Sequence, residues 1–277
     1  MNVRRFLGSL VVLGSALVAL VGAHPASGGE KTPIILAHRG GAYEYEENTM
    51  EGFRACYERG IRGFETDVRM TKDGVLVILH DDTLDRTHNG TGSVEHKTAA
   101  ELRDVTTKKK GQKMLFLDEL LDYFADKPDV YIEWEMKVSN KDLYPNDRIS
   151  EYCQKLYTAA EKKKAKGSVY VYSSFDERPL KAIDAIAPAA PMSLIAGKPC
   201  SAEFIQKAKA VGADRIACQI NGSSRASIKE AQKAGLMVNG WPGRGAQDYQ
   251  LAIGLGLDVH CTDVPVAVIA VKEQIDK

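Results

Sequence analysis

The sequence predicts an α/β chain closed as a TIM-type (β/α)8 barrel, with a hairpin excursion after the second strand. Three observations lead there. From residue 34 onward, eight apolar or β-branched runs alternate with stretches of helical patterning, as repeated βα units around a parallel sheet require. The 277 residues, 44% hydrophobic and 27% charged, suffice for one large core. No Gly-x-Gly-x-x-Gly turn follows the first strand, which makes an open doubly wound sheet the poorer fit.

The elements follow in order. Residues 1–23 read as a cleaved secretory signal: Arg4 and Arg5, an apolar run from Phe6 to Val21, and the small ending Val21-Gly22-Ala23. Gly8, Ser9, Gly14 and Ser15 dilute that run, which argues against a retained membrane anchor. The expected destination is periplasmic or extracellular, with residues 24–277 as one catalytic domain, since no linker or internal repeat divides them. Strands are expected at 34–37, 63–68, 130–136, 169–174, 191–196, 215–219, 236–241 and 258–262. Helices are expected at 49–59, 147–164, 178–186, 202–211, 224–234, 246–255 and 264–276. The long connection 69–129 holds the returning hairpin, the polar loop Asn89-Gly90-Thr91-Gly92, a short helix opened by the capping box Thr98-x-x-Glu101, and a second helix near Leu117.

Composition excludes some functions. Lys plus Arg equals Asp plus Glu at 37 each, so no global field draws the chain to nucleic acid or an anionic membrane. Five scattered cysteines (Cys56, Cys153, Cys200, Cys218, Cys261) leave at least one unpaired and read as buried fillers. His24, His88 and His96 read as surface residues, and His260 as a packed, hydrogen-bonded one.

Chemistry collects at the C-terminal ends of strands, where such barrels carry their working groups. The run Gly63–Met70 alternates with period two, placing Glu65, Asp67 and Arg69 on one face and Phe64, Thr66, Val68 and Met70 on the other. Asp73-Gly74 signals a two-residue hairpin turn, which sets Asp67 opposite His80. The first strand ends in His38-Arg39-Gly40-Gly41. The third places Glu133, Glu135 and Lys137 on one face. Carboxylates aimed into a barrel need counter-charges. Arg39 and Lys137 can supply one or two ion pairs, but Glu65, Asp67 and Glu135 together exceed them. A hard divalent cation, Mg²⁺ or Ca²⁺ with Mn²⁺ as a third candidate, answers that excess, and no close His or Cys pair points to zinc. A cation beside two histidines, an arginine and a lysine suits a phosphodiester: one histidine takes a proton from the nucleophile and the other gives one to the leaving oxygen.

At these residues the chain resembles the glycerophosphodiester phosphodiesterases. The likeness rests on His38-Arg39-Gly40-Gly41, Glu47-Asn48-Thr49, Glu65-x-Asp67-Val68, Thr71-Lys72-Asp73-Gly74, His80-Asp81 with Arg86-Thr87, Glu135-Met136-Lys137, Ser174-Phe175-Asp176, Trp241 and Thr262-Asp263-x-Pro265. It implies a barrel of the phospholipase C-like phosphodiesterase type and a divalent metal on Glu65, Asp67 and Glu135. It implies His38 and His80 as the acid/base pair, with His38 favoured as base, and phosphate contacts from Arg39 and Lys137. Glu47 and Trp241 are implied to shape the site. The substrate implied is a small glycerophosphodiester, cut to an alcohol and sn-glycerol 3-phosphate by way of a cyclic phosphate. Alternatives are a phospholipase D-like or sphingomyelinase D-like enzyme, a hydrolase of glycerol-phosphate polymers, and an inactive binding barrel. The chain departs from the family at Glu46, where proline is usual, and at Pro242-Gly243-Arg244 after Trp241, so head-group choice is the open question. Tyr43, Tyr45 and Trp241 are candidates for packing on a cationic head group, against plain aromatic packing.

Overall fold

The apolar runs form strands β1 (Ile34–His38), β2 (Gly63–Met70), β3 (Leu76–Ile78), β4 (Tyr131–Met136), β5 (Val169–Ser174), β6 (Met192–Ile195), β7 (Arg215–Gln219), β8 (Met237–Gly243) and β9 (Val259–Thr262) in a computed structural model that describes residues 32–276. All but β3 are parallel, in the order β1-β9-β8-β7-β6-β5-β4-β2, and β1 pairs β2 to close the barrel. Helices α1 (Met50–Glu58), α2 (Ala99–Leu102), α3 (Leu117–Phe124), α4 (Asn146–Lys163), α5 (Glu177–Ile186), α6 (Ala202–Ala210), α7 (Arg225–Lys233), α8 (Ala246–Leu255) and α9 (Pro265–Ile275) alternate with the strands. The expected signal segment and His24 lie outside the described residues. Among those described, no helix is long and apolar enough to cross a membrane.

Strand parity sorts the side chains as the alternation predicts. Phe64, Val68, Ile132, Trp134 and Tyr170 pack into the layer between sheet and helices, with Trp134 edge-on to Tyr170 at 5.4 Å. The opposite parity fills the barrel: Leu36, Tyr131, Val171, Val259 and Cys261 pack at its centre, and the carboxylates lie toward the C-terminal mouth. β1 and β2 approach so closely that a Cβ on Gly63 would collide with the Ile35 carbonyl oxygen.

The hairpin differs from expectation by one residue. Val68 pairs Ile78, Arg69 pairs Val77 and Met70 pairs Leu76. The turn has three residues between Thr71 and Val75, closed by Thr71 N donating to Val75 O at 2.8 Å, with Gly74 in the left-handed region at φ +80°. Asp67 therefore faces Leu79, whose N–H donates to its carbonyl at 3.0 Å. His80 lies beyond the strand on the chain that follows.

That chain is anchored from within. Arg69 is buried, and its guanidinium donates to the carbonyls of Leu79 (3.2 Å) and His80 (2.9 Å) and to the carboxylates of Glu95 (3.0 Å) and Asp82 (2.6 Å). A small apolar cluster including Val77, Leu79, Leu84, Leu102 and Phe116 gives the excursion its own core. Glu46 ties the excursion to the loop after β1, accepting from Thr107 Oγ1 (2.7 Å), Lys109 N (3.1 Å) and Gln112 Nε2 (3.3 Å). His88, expected at the surface, is buried within this excursion. His260 is packed as expected, against Tyr249, but neither ring nitrogen finds a hydrogen-bond partner among the described residues.

Candidate active site

The loop after β1 turns through three successive left-handed residues, Arg39 (φ +51°), Gly40 (+74°) and Gly41 (+91°). Only glycine takes the second and third without strain, and the turn aims the Arg39 N–H at Glu65 Oε2, 3.1 Å away. β2 and β4 run in register with Asp67 opposite Glu135. Ligand atoms of Glu65, Asp67 and Glu135 all lie within 4.8 Å of one another. The trio expected from the sequence is therefore assembled.

Charges around the trio are incompletely balanced. Lys137 Nζ stands 2.8 Å from Glu135 Oε1 and 3.6 Å from Asp67 Oδ1, and Arg39 Nε stands 3.5 Å from Asp67 Oδ2. Asn48 donates to Asp67 Oδ2 at 2.8 Å and is itself oriented by Thr66 Oγ1 at 2.9 Å. Burial opposes ionisation of Asp67, yet Lys137, His80, Arg39 and the Asn48 amide hold it below the usual carboxylate range. Glu65 goes the other way, pushed well up by burial and by its neighbours Asp67 and Glu135. Glu65 Oε1 and Asp67 Oδ1 are buried with no hydrogen-bond partner among the described residues. Two orphaned carboxylate oxygens in an all-oxygen donor set, with three acids against two bases, fit a hard cation. A second group that could hold an ion, His38 with Glu65 and Cys261, shares Glu65.

The two histidines flank this centre, each with its own aspartate. His38 Nδ1 lies 2.5 Å from Asp263 Oδ1, and Nε2 lies 3.7 Å from Glu65 Oε2. His80 Nδ1 lies 2.7 Å from Asp81 Oδ1. Arg86 then clamps the outer face, donating to both oxygens of Asp81 at 2.6 and 2.8 Å and to both of Glu47 at 2.7 Å. Its hydrogen bonds are the main reason the Asp81 carboxyl falls to about 2. Glu47 also meets Arg39 at 3.2 Å, so a chain of charges runs from Arg39 to His80. Asp263, Asp81 and Arg86 stood in the recognised motifs without roles, and only their contacts reveal them.

A cavity of about 70 Å³ opens among His38, Arg39, Glu65, His80, Glu135 and Trp241. Trp241 meets Phe175 edge-on, ring centroids 5.7 Å apart, at its rim. A second cavity of about 310 Å³, lined by Asp82, Lys137 and Ser139, shares His80 with the first. Glu133 stays out of the carboxylate trio. It sits deeper in the barrel, bound by Tyr131 Oη (3.0 Å) and Asn239 Nδ2 (3.1 Å), and burial pushes it up to about 7. Tyr43 is exposed, whereas Tyr45 packs on the loop glycines and under Arg59.

Residues 38–267 match the glycerophosphoryl diester phosphodiesterase family. The glycerophosphodiester phosphodiesterase of Caldanaerobacter subterraneus subsp. tengcongensis is 35% identical over 161 residues, 56% of this chain and 63% of the relative. The Bacillus subtilis glycerophosphodiester phosphodiesterase is 29% identical over 177 residues, 57% of each chain. The match thus spans about three fifths of these relatives' length. In fold, an Oleispira antarctica phosphodiesterase solved with the product sn-glycerol-3-phosphate superposes with a TM-score of 0.77 at 20% identity, covering 89% of this chain and 98% of that one. A glycerophosphodiester phosphodiesterase from Parabacteroides distasonis gives 0.76 at 21% identity, covering 90% and 100%.

Proposed function

Because the chain belongs to the glycerophosphoryl diester phosphodiesterase family, we propose that it hydrolyses glycerophosphodiesters to an alcohol and sn-glycerol 3-phosphate. The observation that carries this reading is the pair of aspartate-backed histidines on either side of one carboxylate trio. The Oleispira phosphodiesterase was captured with sn-glycerol-3-phosphate, the product this reading requires.

Asp263 holds the proton of His38 on Nδ1 and leaves Nε2 as the base that faces the cavity. There Nε2 takes the proton of the glycerol hydroxyl adjacent to the phosphate as that oxygen attacks phosphorus. Asp81 orients His80 through Nδ1, and His80 delivers a proton from Nε2 to the departing alcohol. The attack closes a cyclic phosphate. In the second step His80 takes a proton from water as its oxygen attacks phosphorus, the ring P–O bond to the former nucleophile breaks as His38 returns a proton to that oxygen, and sn-glycerol 3-phosphate results. Arg39 and Lys137 contact the non-bridging phosphate oxygens, while Glu47 and Trp241 shape the mouth. Glu65, Asp67 and Glu135 would hold Mg²⁺ or Ca²⁺, with Mn²⁺ as third candidate, and the cation would supply further neutralisation of phosphate charge. Export through the segment 1–23, with residues 24–277 acting as one catalytic domain, completes the proposal.

The test is glycerol 3-phosphate release from glycerophosphocholine by the purified protein, in EDTA, after Mg²⁺ or Ca²⁺ is restored, and with His80→Ala beside wild type. Metal-dependent release lost in the variant supports the reading. No release from folded protein under any of these metals defeats it.

A further inference from the structure

The inner end of the reaction cavity carries an acceptor with nothing to accept. Asn239, on β8, is 3% exposed, and Glu133, on β4, is 2% exposed. Both line the cavity that reaches His38 and His80. Glu133 has its oxygens occupied by Tyr131 Oη and Asn239 Nδ2. Tyr131 Oη donates to Oε1 and the Asn239 amide nitrogen to Oε2, and that second bond fixes the direction of the Asn239 side chain. Asn239 Oδ1 is left buried without a partner among the described residues. Buried polar atoms are rarely left so, and a bound hydroxyl would satisfy this one. Around it Ile195, Ala217 and Cys261 are buried and close the floor.

Resting on the phosphodiesterase reading, we propose that Asn239, oriented by Glu133, accepts a hydrogen bond from the glycerol hydroxyl farthest from the phosphate. The hydroxyl next to the phosphate is already committed as nucleophile. The distal one is the donor that remains. Its recognition restricts the substrates to fully deacylated diesters: an acyl ester there removes the hydroxyl proton and drives a chain into the closed floor. Asn239 is thus a specificity residue and Glu133 its positioning residue.

The test compares two diesters, glycerophosphocholine and the phosphocholine diester of propane-1,2-diol, which keeps the nucleophilic hydroxyl and lacks the distal one. Wild type should favour the first by roughly a hundredfold or more in kcat/KM, because a site built to bind a hydroxyl rejects the analogue lacking it. Asn239→Leu, with its fold checked by circular dichroism, should shrink that ratio to below about threefold, most of the loss lying with glycerophosphocholine. Equal use of both diesters by wild type, or an unchanged ratio in Asn239→Leu, overturns the inference while leaving the phosphodiesterase reading intact. Calorimetric binding of glycerol 3-phosphate against 2-hydroxypropyl phosphate to wild type needs neither turnover nor the variant. At least tenfold tighter binding of the former is expected, and it would sustain the hydroxyl contact even if no diester were cleaved. Equal binding would overturn it.

Discussion

Arg69 donates to the carbonyl oxygen of His80 at 2.9 Å from a side chain that is itself buried. The strand that carries Glu65 and Asp67 thereby also fixes the backbone of the proposed acid. Glu95, 3.0 Å away and held by Tyr144 Oη at 2.8 Å, supplies the counter-charge. Truncating Arg69 leaves Glu95 as an unpaired buried charge, so Arg69→Ala should lose about 3–5 kcal/mol of stability in urea unfolding. The milder Glu95→Gln keeps a side chain of the same shape and should retain the fold, with kcat lowered more than KM is raised. A loss below about 1 kcal/mol for Arg69→Ala would mean that the excursion stands without this anchor.

The aspartate behind each histidine sets which ring nitrogen carries the proton. Asp263→Asn and Asp81→Asn preserve volume but offer an amide that can donate, which allows the opposite tautomer. Each should cut kcat by about 10²–10⁴ with little change in KM. Steady-state kinetics on glycerophosphocholine decide the matter. A tenfold rise in KM at constant kcat would instead make these residues part of substrate binding.

His260 gives a pH dependence whose sign is fixed. Burial lowers its imidazole from 6.5 to about 4, so the native state resists the proton that the unfolded chain accepts. Its contribution is present in full above pH 6.5 and is lost as the pH falls toward about 4. The shift corresponds to ~3 kcal/mol. His260→Leu should flatten the stability profile across that window relative to wild type, measured by chemical denaturation at fixed ionic strength. A wild-type loss that persists undiminished in the variant would assign the effect to other groups.

Period two was enough to place Glu65, Asp67, Glu135 and Lys137 on one face of the sheet, because a strand's alternation survives any tertiary context. What period two leaves out is depth. Glu133 shares a face with Glu135, but two residues along a strand are about 7 Å, enough to move it from the trio to the floor beside Asn239. The hairpin register slipped for a related reason: Asp73-Gly74 marks a turn, but whether two or three residues form it depends on Gly74 being the left-handed closing residue. The pairing of His38 with Asp263 joins residues 225 apart, and only closure of the barrel between β1 and β9 brings them together. His88 gave no apolar signal of its own and is buried within the excursion, where it pairs with Thr107.

The carboxylate trio predicts a proton released on cation binding. Burial and the neighbours Asp67 and Glu135 oppose ionisation of Glu65, and a divalent cation on the trio would favour it, so binding should release a proton wherever Glu65 still carries one. Titrating Mg²⁺ or Ca²⁺ into the protein in two buffers of different ionisation enthalpy should give different apparent heats, and affinity should weaken as the pH is lowered. Glu65→Gln should abolish both the heat difference and tight binding. Identical heats in the two buffers would place the cation elsewhere.

Glu46 acts as a strap. Its carboxylate receives Thr107, Lys109 and Gln112 from the excursion while its carbonyl oxygen accepts from Thr49 Oγ1 at 2.8 Å, at the start of α1. Removing the carboxylate leaves buried Thr107 without its acceptor, a cost of about 1–3 kcal/mol. That cost is confined to one side of the barrel, so Glu46→Ala should open residues 106–112 locally before the whole chain unfolds. Hydrogen exchange should show faster amides at Thr107 and Lys109 with β4 to β9 unaffected. Uniform acceleration across the barrel would mean that the strap supports the fold as a whole rather than the excursion.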